Sequence, residues 1–280
     1  MLKRLIEISR PLLWVNTIGT TVLGMWLGGD LWRWDIVALL LFATLPFNLL
    51  IYGVNDVYDQ DTDALNPRKG GVEGALIKPS EAKMIMIGTA ELNIPFLIYF
   101  AFTLPIAATL WIAAYAFCFL YYSMPPLRFK ARPILDSICN TSYAYPLVYV
   151  PLAFDKEPIW WAAIGLMTWS MAKHSYDAIQ DIDEDSAVGI HTTATLLGVR
   201  GTAIWGAVWW TISTVCFAVV NIPVAIANAA IAGYLVIKLY RKPTQDEAHR
   251  LYKYSIAFPY VAGTVAGVQL VAGMLLGFYP

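Results

Sequence analysis

"LLIYGVNDVYDQDTD", residues 49–63, decides how this chain is read. Its first six residues end an apolar run, and its last nine hold four carboxylates. The apolar run is long enough to cross a bilayer, which takes about 20 residues. A carboxylate at the centre of a membrane helix costs about 2.5–3.5 kcal/mol on insertion scales, so these acids must face water or a cation. Asn55, Asp59 and Asp63 are spaced i, i+4, i+8, which on a helix places them along one face with Asp56 beside them. Like charges at that spacing repel, and an oxygen-binding divalent cation relieves the repulsion. Mg2+ is the natural one, because it shares a few carboxylates with substrate phosphates.

The pattern occurs twice. "DAIQDIDED", residues 177–185, repeats the spacing with Asp177, Asp181 and Asp185. Asp61, Asp183 and Glu184 lie off the stripe and read as solvated. Two clusters of this kind are expected to hold Mg2+ ions around a diphosphate, both facing one cytoplasmic cavity. The competing reading is that the acids are solvated loop residues at the membrane surface.

The rest of the chain supports a membrane setting. Only 14% of residues are charged and 58% are hydrophobic, whereas soluble chains carry about 25% charged residues. Apolar windows predict nine spans, near 11–29, 35–56, 84–103, 105–123, 135–154, 159–179, 203–220, 222–240 and 254–278. The charged, then apolar, N-terminus reads as a retained first span, and the chain as a single polytopic domain over 1–280. With the N-terminus inside, all of the 19 lysines and arginines except Arg33 and Lys156 fall on inner segments. The positive-inside rule then places the N-terminus and both acidic loops in the cytoplasm and the C-terminus outside. Cys118, Cys139 and Cys216 are isolated and show no metal spacing. A net charge of −1 gives no footprint for nucleic acid, and no feature points to a protein partner.

Basic residues accompany the acids. Arg68 and Lys69 follow the first cluster, Arg128, Lys130 and Arg132 share the next inner loop, and Lys173 precedes the second cluster. Arginine and lysine are phosphate partners. Topology alone also makes inner loops basic, and Lys173 could simply snorkel to the interface.

These motifs resemble those of the UbiA superfamily of intramembrane prenyltransferases. "NDVYDQDTD" fits its first acidic motif, "DIDED" its second, "GIHTTATLLG" the stretch that follows, and "YYSMPPLRFK" the tyrosine-and-basic loop between them. The resemblance implies an all-α membrane protein of nine transmembrane helices around a central cavity. It implies transfer of a prenyl group from an allylic diphosphate to a lipophilic acceptor. Asn55, Asp59, Asp63, Asp181 and Asp185 would hold Mg2+, with Asp56 and Asp177 supporting. Tyr122 would serve the chemistry. Arg68, Lys69, Arg128, Lys130 and Lys173 would bind diphosphate.

One position departs from the pattern. Many members with aromatic acceptors carry another aspartate seven residues before the position of Asp181, where this chain has His174. "SRPLLWVNT", "NPRKGGVEGA", "YSMPPLRFKARPILDS" and "HSYDAIQDIDEDSAVGI" resemble the lycopene elongase branch. That branch implies dimethylallyl diphosphate as donor and lycopene or a related carotenoid as acceptor, with or without addition of water, in a plasma membrane. An aromatic or quinone precursor such as 4-hydroxybenzoate is the alternative acceptor. A transporter is the alternative class, though transporter sites sit near the midplane and both clusters here sit at span ends.

Overall fold

The computed structural model describes residues 1–29, 37–60 and 76–277, which are helical or in turns and contain no strand. The chain forms two compact units, Met1–Lys130 with Ser142–Ala163, and Ala131–Thr141 with Ile164–Pro280. Among the described residues, six helical stretches are long and apolar enough to cross a membrane: Val37–Tyr58, Pro79–Thr103, Ile106–Ser123, Thr193–Val220, Ile222–Arg241 and Gln245–Leu275. Nine spans were expected. The other three segments are helical but shorter, broken or more polar. The first gives 14 helical residues, Val15–Gly28. Residues 135–154 divide into Leu135–Cys139, a 3-10 turn and Pro146–Ala153. Trp160–Asp177 is weighted by three tryptophans and a polar last turn.

In the first unit the helices are α1 (Leu2–Ile8), α2 (Val15–Gly28), α3 (Val37–Phe42), α4 (Leu45–Asn48), α5 (Val54–Tyr58), α6 (Ala82–Thr103) and α7 (Ile106–Ser123). α6 stops where proline requires, since Leu104, before Pro105, is extended. α2 packs along α9 (Pro146–Ala153). Gly24 makes this approach possible, because a Cβ there would lie 2.5 Å from the Pro146 carbonyl oxygen. Phe42, Phe47, Phe100, Tyr115 and Tyr149 fill the centre, with Phe47 stacked on Tyr115 at 4.0 Å between ring centroids.

The span that leads to the first acidic cluster is not one continuous helix. It breaks between α3 and α4, where Pro46 supplies no N–H, and passes through a π-helical turn at Leu49–Gly53 before α5. Backbone carbonyls in an apolar interior need donors, and side chains add to the backbone here: the Asn48 N–H already reaches the Thr44 carbonyl and the Leu49 N–H the Pro46 carbonyl. Thr17 Oγ1 donates to the Ala43 carbonyl at 2.6 Å. Asn48 Nδ2 is within 2.9 Å of that carbonyl and 2.8 Å of the Thr44 carbonyl. Asn93 Nδ2 donates to the Pro46 carbonyl at 2.7 Å. Asn48→Leu removes a fully buried donor, and leaving such partners unmet costs about 1–3 kcal/mol. The expected result is a matching loss in reversible unfolding of the micelle-bound protein.

In the second unit lie α8 (Leu135–Cys139), most of α10 (Trp160–Asp177), α11 (Ile182–Ala187), α12 (Thr193–Val220), α13 (Ile222–Arg241), α14 (Gln245–Ser255) and α15 (Ala257–Leu275). α12 and α13 form a hairpin around Asn221, whose side chain accepts from the Val224 N–H and caps α13. The threonines of "HTTATLLG" start α12: Thr192 caps it, and Thr195 closes the box by accepting from the Thr192 N–H. α12 is kinked at Gly198, whose φ of 65° and ψ of 177° are open essentially only to glycine. The core gathers Tyr176, Trp210, Phe217 and Phe258.

Candidate functional site

The first cluster sits where α5 ends. Asn55 and Asp56 lie on its first turn, and the chain leaves helical geometry at Asp59, with φ −112° and ψ 7°. Asn55 Nδ2 donates to Asp59 Oδ2 at 2.7 Å and to Ser123 Oγ at 2.8 Å. The i, i+4 contact expected from spacing is therefore present, and a serine at the end of α7 joins it. Asp59 is buried, and its Oδ1 is ion-paired with the Lys130 ammonium. Tyr122 stands half-buried beside Ser123. Arg128 is half-buried with a left-handed φ of 40°, its Nε without a hydrogen-bond partner among the described residues. Asp63, Arg68 and Lys69 lie outside the described residues.

Asp56, expected among the metal ligands, is held by an arginine. It is fully buried, and Arg10 Nη2 donates to its Oδ1 at 2.6 Å. The same guanidinium lies 4.6 Å from the centroid of the Tyr52 ring. Adjacent positions on a helix do not share a face, so Asp56 turns to Arg10 while Asn55 turns to Asp59.

The second cluster begins as α10 ends. Lys173 is ion-paired with Asp177 Oδ2, and Ser255 Oγ donates to Asp177 Oδ1 at 2.7 Å. An unbroken helical stripe from Asp177 to Asp185 was expected. The chain instead tightens into a 3-10 turn at Ala178–Asp181, and Asp181 takes φ −111° and ψ 11° before α11 starts. The tighter turn interrupts the regular i, i+4 spacing between Asp177 and Asp181. Asp181 and Asp185 remain half-buried, whereas Asp183 and Glu184 are exposed.

Asp136 was not singled out in the sequence. It is fully buried on α8 and accepts from the Thr193 N–H at 3.0 Å and the Thr193 hydroxyl at 2.5 Å. His174 Nε2 lies 3.7 Å from Oδ2, the oxygen that accepts the Thr193 N–H. A lone carboxylate within an apolar segment is the signal that could have found it. Arg10, Ser123 and Ser255 carry no such signal, because their partners are distant in sequence.

Among the described residues, no three His, Cys, Asp or Glu side chains come together as a metal-binding group. The donors nevertheless fit a hard cation. They are carboxylate and amide oxygens, the type Mg2+ prefers. Asp59 and Asp177 each already hold a full positive charge, that of a lysine ammonium.

The chain is similar to known proteins in sequence and in fold. The sequence model of the UbiA prenyltransferase family matches residues 17–260. The lycopene elongase/hydratase of Haloferax volcanii is 34% identical over 274 residues, covering 96% of this chain and 87% of that protein. The C(50) beta-cyclic carotenoids biosynthesis protein LbtBC of Dietzia sp. (strain CQ4) is 34% identical over 257 residues, covering 86% of this chain. The chain spans only 57% of the length of that Dietzia protein. Among solved structures, a UbiA homolog from Archaeoglobus fulgidus bound to DMAPP and Mg2+ shares the fold with a TM-score of 0.63 and 18% identity, over 91% of this chain and 98% of the other. An all-helical membrane-type fold with paired acidic clusters is that of an intramembrane prenyl-transferring enzyme. The chain belongs to the UbiA prenyltransferase family.

Proposed function

We propose that this chain transfers a dimethylallyl group from its diphosphate to an end of lycopene or a related carotenoid. The observation that carries the reading is the 34% identity to a lycopene elongase/hydratase across 96% of the chain. Asn55, Asp59, Asp63, Asp181 and Asp185 would hold Mg2+, with Asp177 beside them. When bound, the metal supplies positive charge to the departing diphosphate oxygens.

The chain's own residues supply the rest. Lys130 and Lys173, with Arg68, Lys69 and Arg128, bind and orient the diphosphate. The allylic C–O bond breaks, and its electron pair leaves with the diphosphate. Apolar side chains keep water from the allylic cation, and Tyr122 faces it with a ring that stabilises positive charge. A terminal double bond of the carotenoid attacks, forming the new C–C bond. The resulting cation loses a proton or takes up water. The enzyme works in the plasma membrane with its N-terminus and acidic loops on the cytoplasmic side.

Expression in a lycopene-producing host tests this directly. Chromatography and mass spectrometry are expected to show carotenoids heavier by one or two five-carbon units. An added water would mark hydration. Unchanged lycopene, with the protein confirmed in the membrane, would overturn the carotenoid acceptor.

A further inference from the structure

The two units contain the same small device, although their sequences do not announce it. In the first, the chain leaves helical geometry at Asp59, four residues after Asn55, and a serine 68 residues further on binds the Asn55 side chain. In the second, it leaves helical geometry at Asp181, four residues after Asp177, and a serine 78 residues further on binds the Asp177 side chain. The backbone angles at Asp59 and Asp181 agree within a few degrees. Each serine ends its helix, each follows a tyrosine (Tyr122 and Tyr254), and each is buried, at 1% and 2% exposure. In each unit a lysine neutralises a carboxylate of the cluster.

The chemistry of Asn55 shows what the serine does. A primary amide has two hydrogens and one oxygen. Asp59 and Ser123 take both hydrogens. The amide plane is thereby fixed, and Oδ1 is kept on the side away from the Asp59 carboxylate. Without Ser123 one hydrogen loses its partner and the plane is free to turn. At Asp177 the Ser255 hydroxyl has one hydrogen and two acceptors in reach, Asp177 Oδ1 at 2.7 Å and the Tyr252 carbonyl at 2.9 Å. The charged acceptor forms the stronger bond, so Asp177 is pinned as Asn55 is.

We propose that Ser123 and Ser255 are positioning residues, one per unit, that fix the leading side chain of each acidic cluster, Asn55 and Asp177, in the orientation in which the cluster binds the divalent metal. The inference rests on the metal–diphosphate reading above. Partners outside the coordination sphere typically contribute about 10–100-fold in metal affinity. Ser123→Ala and Ser255→Ala should therefore each weaken Mn2+ binding by that factor in the presence of inorganic diphosphate, read by electron paramagnetic resonance on the full chain. Ser123→Thr keeps the hydroxyl and should restore binding. Ser213→Ala is the control: its hydroxyl donates to the Gly165 carbonyl at 2.8 Å, so its loss should lower stability without moving Mn2+ affinity.

Wild-type protein that fails to bind Mn2+ with diphosphate would overturn the metal reading and this inference with it. Wild-type binding with unchanged affinity in a folded Ser123→Ala variant would overturn the inference alone. Should that variant not fold, Ser255→Ala, in the other unit, decides by the same measure.

Discussion

Asp59→Asn is expected to lower turnover by more than about 100-fold, the upper end for partners outside the coordination sphere, while the protein still inserts and folds. Asp59 is where the first unit concentrates its interactions. It receives the Asn55 amide on one oxygen and the Lys130 ammonium on the other. Asparagine keeps the size and a carbonyl able to accept from Asn55, but it leaves the Lys130 ammonium buried without its charged partner, so stability falls as well and rates are compared in the folded fraction. What disappears is the negative charge that holds a cation. Lys130→Met separates the two roles of this pair, since it leaves the carboxylate intact. It should raise KM for the diphosphate and leave a measurable kcat. Initial rates across a range of Mg2+ concentrations check both variants. Wild-type rates in folded Asp59→Asn at saturating Mg2+ would refute a metal role for Asp59.

The second large effect concerns stability. Arg10→Met is expected to cost about 3–5 kcal/mol, the range for removing one partner of a buried ion pair. Asp56 is fully buried and the Arg10 side chain is only 12% exposed, so water cannot easily replace the guanidinium. Methionine keeps most of the aliphatic length, which confines the change to charge. Adding Asp56→Asn should recover much of the loss, because no buried charge is then left behind. Thermal unfolding of the micelle-bound protein measures the single and double variants. Equal melting temperatures for wild type and Arg10→Met would show that Asp56 does not depend on the pair.

The sequence revealed the site in proportion to how local each interaction is. The Asn55–Asp59 contact follows from helical spacing and is present. The departures from helix at Asp59 and Asp181 were hidden, because an i, i+4 pattern reads as continuous helix whether or not the backbone bends. The serines were hidden for another reason: hydroxyl groups at span ends are common, and only the fold brings Ser123 to Asn55 across 68 positions. Asp136 is legible as a lone carboxylate inside an apolar segment, but its partner Thr193 lies 57 residues away and only the fold brings the two together. Among the spans, divisions at Pro105 and Pro223 match the helix starts at Ile106 and Ile222. Hydropathy failed where a segment keeps its apolar composition but folds as short pieces, as in residues 135–154.

The interrupted span before the first cluster also bears on how the protein is made. Its Ala43 carbonyl is met by Thr17 from the preceding helix and by its own Asn48, while its Pro46 carbonyl accepts from the Leu49 N–H and again from Asn93 of the following helix. A segment with such a gap is a poor passenger on its own, because lipid offers no donors. The ribosome delivers Thr17 before the gap and Asn93 some forty residues after it. The Pro46 carbonyl therefore gains its second donor only once the third of these helices has emerged, and the interrupted span that leads to Asn55 and Asp59 is held by side chains from three helices.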